Sequence, residues 1–118
     1  MSGPALNDTC LEGLRHLDAR QPGFLAEIYG VFLEDADERL DHIRTGLAEG
    51  DADKVAKAAH ALKGASGGVC ASTLSTLLQA IEQAGRAGDL TAARDGLEAV
   101  EAEYSRVRAA IADLLGTS

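Results

Sequence analysis

The residue with the clearest chemical potential is His60, which lies in the run AHALKG at residues 59–64. Apolar residues around it recur at helical spacing, and on a wheel of about 100° per residue His60 lies about 140° from Val55, outside the apolar stripe. Its neighbours one and two turns away are Ala56, Lys63, Gly64 and Gly67. We therefore expect an exposed imidazole with little side-chain cover and one cation beside it. This placement suits a nucleophile that another macromolecule must reach.

The other polar residues are interpreted as ordinary surface. His16 and His42 are expected to be surface or boundary residues without a functional role. His60 has no second histidine four residues on and no cysteine at ligand spacing, so no metal site is predicted. Five carboxylates are interpreted as the solvated face of one helix rather than as paired catalytic groups; they are Glu34, Asp35, Asp37, Glu38 and Asp41.

The two cysteines, Cys10 and Cys70, are far apart in the sequence and form no Cys-x-x-Cys motif. We expect both to be reduced structural thiols rather than a disulfide or a redox pair.

The composition indicates one soluble helical domain. The chain has 118 residues, 46% of them hydrophobic and only 3% aromatic, which favours helices over a sheet. A net charge of -8 argues against binding to nucleic acid or to an anionic membrane. No apolar run is long enough to span a bilayer and the N-terminus does not resemble a signal peptide, so a cytoplasmic location is expected.

Five helices are predicted, separated by short turns. Their approximate ranges are residues 8–17, 22–49, 51–68, 71–87 and 90–115, with residues 1–7 as a flexible N-terminus and 8–115 as a single domain. Short links force the long helices to pack as antiparallel neighbours, so we predict an all-α, up-down four-helix bundle with the short first helix covering one end. The apolar stripe of the last helix is assigned to this core rather than to an intermolecular coiled coil.

The sequence resembles the histidine-containing phosphotransfer (HPt) domains of multistep phosphorelays, from about Leu11 to Leu115. The run AHALKG fits the family pattern of alanine, histidine, any residue, leucine, lysine and glycine. Three further segments support the resemblance: FLED at 32–35, AEGD at 48–51 and GRAGD at 85–89. Their placement within a five-helix frame makes the short motif specific.

This resemblance implies a role for each residue of the motif. His60 matches the histidine that accepts a phosphoryl group from the aspartate of one receiver domain and passes it to another. Lys63 matches the neighbouring lysine, Gly64 the glycine that leaves the ring open, and Arg86 a basic residue that some members carry near the acceptor. Ala65 stands where a serine is frequent, and Cys70 where a glycine is usual.

The implied partners are receiver domains of response regulators or hybrid histidine kinases. Small residues at 56, 64 and 67 would form a docking surface, with Lys57 and Lys63 facing an acidic receiver pocket. We expect Ala56, Lys57, Gly64, Gly67 and Arg86 to bind the partner.

The chemistry is expected to be divided between the two proteins. The receiver would supply Mg²⁺, while this chain has no cofactor of its own. It carries no nucleotide-binding glycine motif, so neither ATP binding nor autokinase activity is expected. We therefore expect a freely diffusing monomeric phosphoryl carrier rather than an enzyme. A helical adaptor with an idle histidine, or the phosphorylatable domain of a chemotaxis-type kinase, remains the alternative.

Overall fold

The computed structural model describes residues 3–116, which form five helices and no strand. The helices are α1 (Asp8–Arg20), α2 (Phe24–Glu49), α3 (Ala52–Gly68), α4 (Ser72–Arg86) and α5 (Leu90–Leu115). Each of the four long helices packs against the next, and α2 also contacts α5, which closes the bundle. The predicted all-α bundle with a short additional N-terminal helix is therefore confirmed.

The helix ends follow from capping residues in the sequence. The side chains of Asp51 and Asp89 accept hydrogen bonds from backbone N–H groups in the first turns of α3 and α5, as N-caps do. Gly50 ends α2 in the left-handed region at φ 71°. Two boundaries differ from the prediction by more than one residue: α1 continues to Arg20, and α2 begins after Gly23, whose φ of 94° makes a turn that includes Pro22.

The core lies between the apolar stripes of α2 to α5. Its largest fully buried side chains include Tyr29, Leu40, Ile43, Leu62, Leu74, Leu78, Ile81 and Ile111. Val100, Val107 and Ile111 of α5 are all buried within the bundle, in agreement with assigning that stripe to the intramolecular core. No helix among residues 3–116 is long and apolar enough to cross a membrane.

Part of the predicted flexible N-terminus packs on the bundle. Residues 1–2 lie outside the described residues, but Ala5 and Leu6 are buried. Asn7 caps α1 through its side chain, and its backbone N–H donates to the carbonyl oxygen of Cys70 at 2.7 Å. For residues 5–7 the prediction was therefore wrong, because two apolar side chains and one backbone hydrogen bond hold them in place.

The prediction of two reduced thiols was also wrong. Cys10, in the first turn of α1, forms a disulfide bond with Cys70, which follows α3; their Cα atoms are 5.6 Å apart. The 60-residue separation in sequence says little about distance in space, because the folded bundle places α1 beside the end of α3. Cys70 has a φ of 72°, so it adopts the left-handed conformation that favours glycine.

The helices α3 and α4 approach each other closely at Gly85. A Cβ atom at this position would lie 2.9 Å from the backbone nitrogen of Ala56 and 3.0 Å from its Cβ. Glycine is therefore required here by space, and the close approach fixes the face of α4 that meets the His60 region of α3.

Candidate functional site

His60 stands on the outer side of α3, as predicted. Its side chain is 61% exposed, and its Nδ1 atom lies 3.0 Å from Oε2 of Glu82 on α4. No hydrogen-bond partner of Nε2 is found among residues 3–116. The imidazole is thus tied through one nitrogen to the neighbouring helix, while the other nitrogen remains available at the surface.

Glu82 is the centre of the site, although it was absent from the predicted set. Its side chain is only 7% exposed and contacts three basic groups. One carboxylate oxygen lies 2.6 Å from Nζ of Lys63, and the other accepts from Nη2 of Arg86 at 2.7 Å and contacts His60. A nearly buried carboxylate requires such partners.

These contacts keep Glu82 ionised. Hydrogen bonding from Lys63 has the largest effect and, with contributions from Arg86 and His60, it lowers the pKa of Glu82 to about 2 against the opposing effect of burial. At neutral pH the site therefore contains a fixed negative charge behind the imidazole.

Lys63 is oriented toward α4. Its ammonium donates to Oε1 of Gln79 at 2.7 Å in addition to the Glu82 contact, and its side chain is 24% exposed. Its backbone carbonyl oxygen accepts from the Ser75 hydroxyl at 3.1 Å. The cation expected beside His60 is therefore present, but residues of α4 hold it in place.

Three of the other predicted docking residues lie exposed on α3. Gly64 and Gly67 are exposed, and a Cβ at Gly64 would meet open space. Lys57 is exposed and paired with Asp53 at 2.9 Å.

Ala56 does not match its predicted role as open docking surface. It is only 4% exposed, because Gly85 of α4 packs directly against it. Together with Lys57 and Arg86 it instead lines a 680 Å³ cleft between α3 and α4.

An apolar cleft that the sequence analysis did not identify lies farther along α3. It has a volume of 430 Å³ and is bordered by Leu14 of α1, by Phe24, Ile28 and Val31 of α2, and by Ala65 and Val69. Val31 is 64% exposed. Ala65 and Gly68, which also lines the cleft, follow His60 on the same helix by one to two turns.

The signal for Glu82 was present in the sequence. This glutamate lies four residues after Leu78 and directly after Ile81, at the edge of the apolar stripe of α4. A carboxylate in a position that the periodicity assigns to the interior needs cationic partners. The identity of those partners depends on how α3 and α4 pack.

Four of the five carboxylates that were assigned to the face of α2 form surface pairs, and so does His42. Asp35 pairs with Arg39 and Asp41 with Arg44 along α2, while Asp37 contacts Tyr104 and Arg108 of α5. His42 lies 4.0 Å from Glu38, and His16 is exposed. Residues 3–116 contain no group of three or more histidine, cysteine, aspartate or glutamate residues able to hold a metal ion.

Comparison with known proteins agrees with this geometry. The family model described as Hpt domain matches residues 27–110. Histidine-containing phosphotransfer protein B from Pseudomonas aeruginosa superposes with a TM-score of 0.85 at 28% identity, covering 95% of both chains. The maize histidine-containing phosphotransfer protein ZmHP2 superposes with a TM-score of 0.87 at 26% identity, covering 96% of this chain and 85% of the maize chain.

A search of curated protein sequences gave no significant match. The family model nevertheless spans most of the bundle, including α3 with His60 and α4 with Glu82. The chain therefore belongs to the Hpt domain family.

Proposed function

We propose that this protein carries phosphoryl groups on Nε2 of His60, accepting them from the phosphoaspartate of one receiver domain and delivering them to the aspartate of another. Membership of the Hpt family makes it a histidine phosphotransfer protein of a phosphorelay. The observation that supports His60 as the acceptor is its exposed ring, held through Nδ1 by a nearly buried carboxylate.

The Glu82 contact selects the reactive nitrogen. We assign the imidazole proton to Nδ1, because the ionised carboxylate can only accept a hydrogen bond. Nε2 then carries the lone pair on the open side of the ring. It attacks phosphorus, the N–P bond forms, and the bond between phosphorus and the aspartate oxygen breaks with release of the receiver's carboxylate.

The ring keeps its Nδ1 proton throughout this step, so the phosphorylated imidazole carries a positive charge. The carboxylate of Glu82, 3.0 Å from Nδ1, stabilises that positive charge and so favours the phosphorylated form of His60. Transfer to the aspartate of a second receiver then breaks the N–P bond and forms a new bond between phosphorus and the aspartate oxygen. Because the group is transferred stoichiometrically, the protein acts as a carrier whose reaction is completed by its partners.

Lys63 and Arg86 provide positive charge next to the incoming phosphoryl oxygens. The Arg86 side chain is 62% exposed, so its guanidinium can reach a group bound to His60 while remaining close to Glu82. Phosphoryl transfer depends mainly on positioning and charge stabilisation. Because Arg86 is exposed to solvent, its charge should contribute only about 0.5–1 kcal/mol to this stabilisation.

The surface around His60 suits a receiver domain. Gly64 and Gly67 allow close approach to α3, and Lys57 adds positive charge toward an acidic pocket that would hold the receiver's metal ion. The apolar cleft with exposed Val31 extends this surface past the end of α3. A contact of this kind is expected to be transient.

Incubation with a panel of phosphorylated receiver domains tests the proposal. The wild type and His16→Gln, a matched control at another exposed histidine, should gain acid-labile, alkali-stable phosphate, whereas His60→Gln should gain none. Label retained after His60→Gln would reject the site. Receiver binding without any label on the wild type would instead favour a non-catalytic adaptor.

A further inference from the structure

We propose that the Cys10–Cys70 disulfide is a redox-sensitive clamp that fixes α1 against the end of α3 and thereby sets one wall of the apolar cleft. The clamp itself depends only on the geometry of the fold. Its effect on phosphotransfer depends on the proposed function, in which the cleft forms part of the receiver-docking surface.

The restraints on α1 are few apart from this bond. Leu11 is the only buried residue of the helix, Leu14 is partly buried against the same core, and Ala5 and Leu6 are buried just before the helix begins. At its C-terminal end the Asp18 carboxylate accepts from the backbone N–H of Leu25 at 3.0 Å, and before its start Asn7 bonds to the Cys70 carbonyl oxygen. A helix with so little buried surface is a low-stability unit whose position a covalent link can control.

The disulfide joins two segments that both line the cleft. Leu14, one helical turn after Cys10, forms the α1 wall. Val69, which precedes Cys70 in the chain, forms the α3 wall. Closing the bond therefore limits how far the two segments can move apart, and opening it leaves Leu14 held by its own packing against the core and by the remaining contacts of α1.

The two sulfur-bearing residues differ in accessibility. Cys10 is exposed, whereas Cys70 is fully buried. A dithiol reductant would therefore attack at the Cys10 sulfur, forming a mixed disulfide and releasing the Cys70 thiolate, which takes up a proton. The second thiol of the reductant then displaces Cys10. Two electrons and two protons pass to the protein, and the reductant leaves as a disulfide.

Opening the bond also changes the restraints on the turn after α3. Cys70 occupies the left-handed region at φ 72°, where residues other than glycine are disfavoured. In the oxidised protein its side chain is fixed to α1, and its backbone accepts from Asn7. Reduction removes the first of these restraints, so the turn and α1 should loosen together.

Amide hydrogen exchange of the intact protein, with and without dithiothreitol, tests the clamp. Reduction should occur under native conditions and should increase exchange in α1 while α2–α5 keep their protection. The variant Cys10→Ser, whose substitution lies at an exposed position, should resemble the reduced protein and should not respond to dithiothreitol. A bond that opens only in denaturant, or α1 protection unchanged by reduction, would overturn the proposal.

Transfer kinetics from a phosphorylated receiver test the functional effect. The reduced protein and Cys10→Ser should require about tenfold more receiver for half-maximal transfer, as expected for loosening one leucine contact. Equal kinetics in the two redox states would overturn the regulatory role. Absence of transfer in both states would contradict the proposed function alone, because hydrogen exchange decides the existence of the clamp.

Discussion

The Nδ1 atom of His60 lies 3.0 Å from a carboxylate oxygen of Glu82, across the interface between α3 and α4. The contact depends on the close approach of the two helices at Gly85 and Ala56. One turn of α4 separates Glu82 from Arg86, which contacts the same carboxylate oxygen as His60. The imidazole of His60 is therefore oriented by residues of a second helix, and its orientation depends on how the helices of the bundle pack.

Replacing Glu82 should slow transfer without removing the acceptor. In Glu82→Ala, Nδ1 loses its partner and the two cations lose their anchor, so the transfer rate should fall about 100-fold, as expected from misplacing a reacting group. Glu82→Gln keeps an oxygen acceptor for Nδ1 but not the negative charge, so its transfer rate should fall about tenfold. Single-turnover transfer from a phosphorylated receiver measures both.

Glu98→Gln is the matched control, because this glutamate is exposed on α5 and its neutralisation should leave the rate unchanged. Equal rates for Glu82→Ala and the wild type would show that the carboxylate does not position the ring.

Titration of Glu82 should make the stability of the fold depend on pH in the acidic range. The pKa of Glu82 is about 2 in the folded protein and 4.5 for the free side chain. A carboxyl group whose pKa is lower in the folded than in the unfolded protein stabilises the fold fully when the pH is above its unfolded-state pKa. This stabilisation is lost as the pH falls through its folded-state pKa. The free energy of unfolding should therefore decrease between pH 4.5 and about 2.

Urea unfolding of the wild type and Glu82→Gln across this interval tests the assignment. The stability difference between them should be largest near neutral pH and should shrink as the solution is acidified. A difference that stays constant with pH would assign the acid sensitivity to other carboxylates.

The fold and the exposed position of His60 were predictable from the sequence because both depend on local patterns. The three-four spacing of apolar residues defines the long helices, and capping residues such as Asp51 and Asp89 define where two of them begin. The exposure of His60 follows from its angle to the apolar stripe of its own helix, without knowledge of any neighbour.

The remaining features depend on contacts between elements. The Cys10–Cys70 bond requires α1 to lie beside the end of α3, and spacing along the chain does not determine that position. The burial of Ala56 follows from the absence of a side chain at Gly85 on another helix. Glu82 could be recognised as a carboxylate at an interior position, but its assignment to His60 required the register between α3 and α4.

Two glycines allow stability and function to be separated. At Gly85 a new methyl group would lie 2.9 Å from backbone, so Gly85→Ala should destabilise the bundle by about 1–3 kcal/mol. At Gly64 the same change meets open space, and Gly64→Ala should be stabilising by about 1 kcal/mol through helix propensity. Denaturant unfolding of both variants measures these opposite effects.

Transfer assays extend this comparison to the docking surface. Gly64→Leu should fold as stably as the wild type, yet it should slow transfer from a phosphorylated receiver by at least about tenfold, because a bulky side chain one turn from His60 blocks close approach. Unimpaired transfer by Gly64→Leu would mean that the receiver does not approach across this position.

Tyr29 connects α2 to the end of α3 through a buried hydrogen bond. Its hydroxyl donates to the carbonyl oxygen of Val69 at 2.7 Å, and burial raises the pKa of Tyr29 to about 12. Tyr29→Phe leaves that carbonyl without its partner, and an unsatisfied buried group costs about 1–3 kcal/mol. Thermal or urea unfolding should show this loss while the helical content is unchanged.

Tyr104→Phe, which removes a hydroxyl of α5 that contacts α2, provides the matched comparison. The Tyr104 hydroxyl donates to Asp37 at 2.7 Å, but the Asp37 side chain is 60% exposed, so water can replace the lost donor. Its removal should therefore cost about 1 kcal/mol or less. If Tyr104→Phe were the more damaging of the two, the Tyr29 bond would not be a principal restraint on the turn that follows α3. If Tyr29→Phe is the more damaging, burial of the acceptor explains the difference, because the two hydroxyl donors are chemically the same.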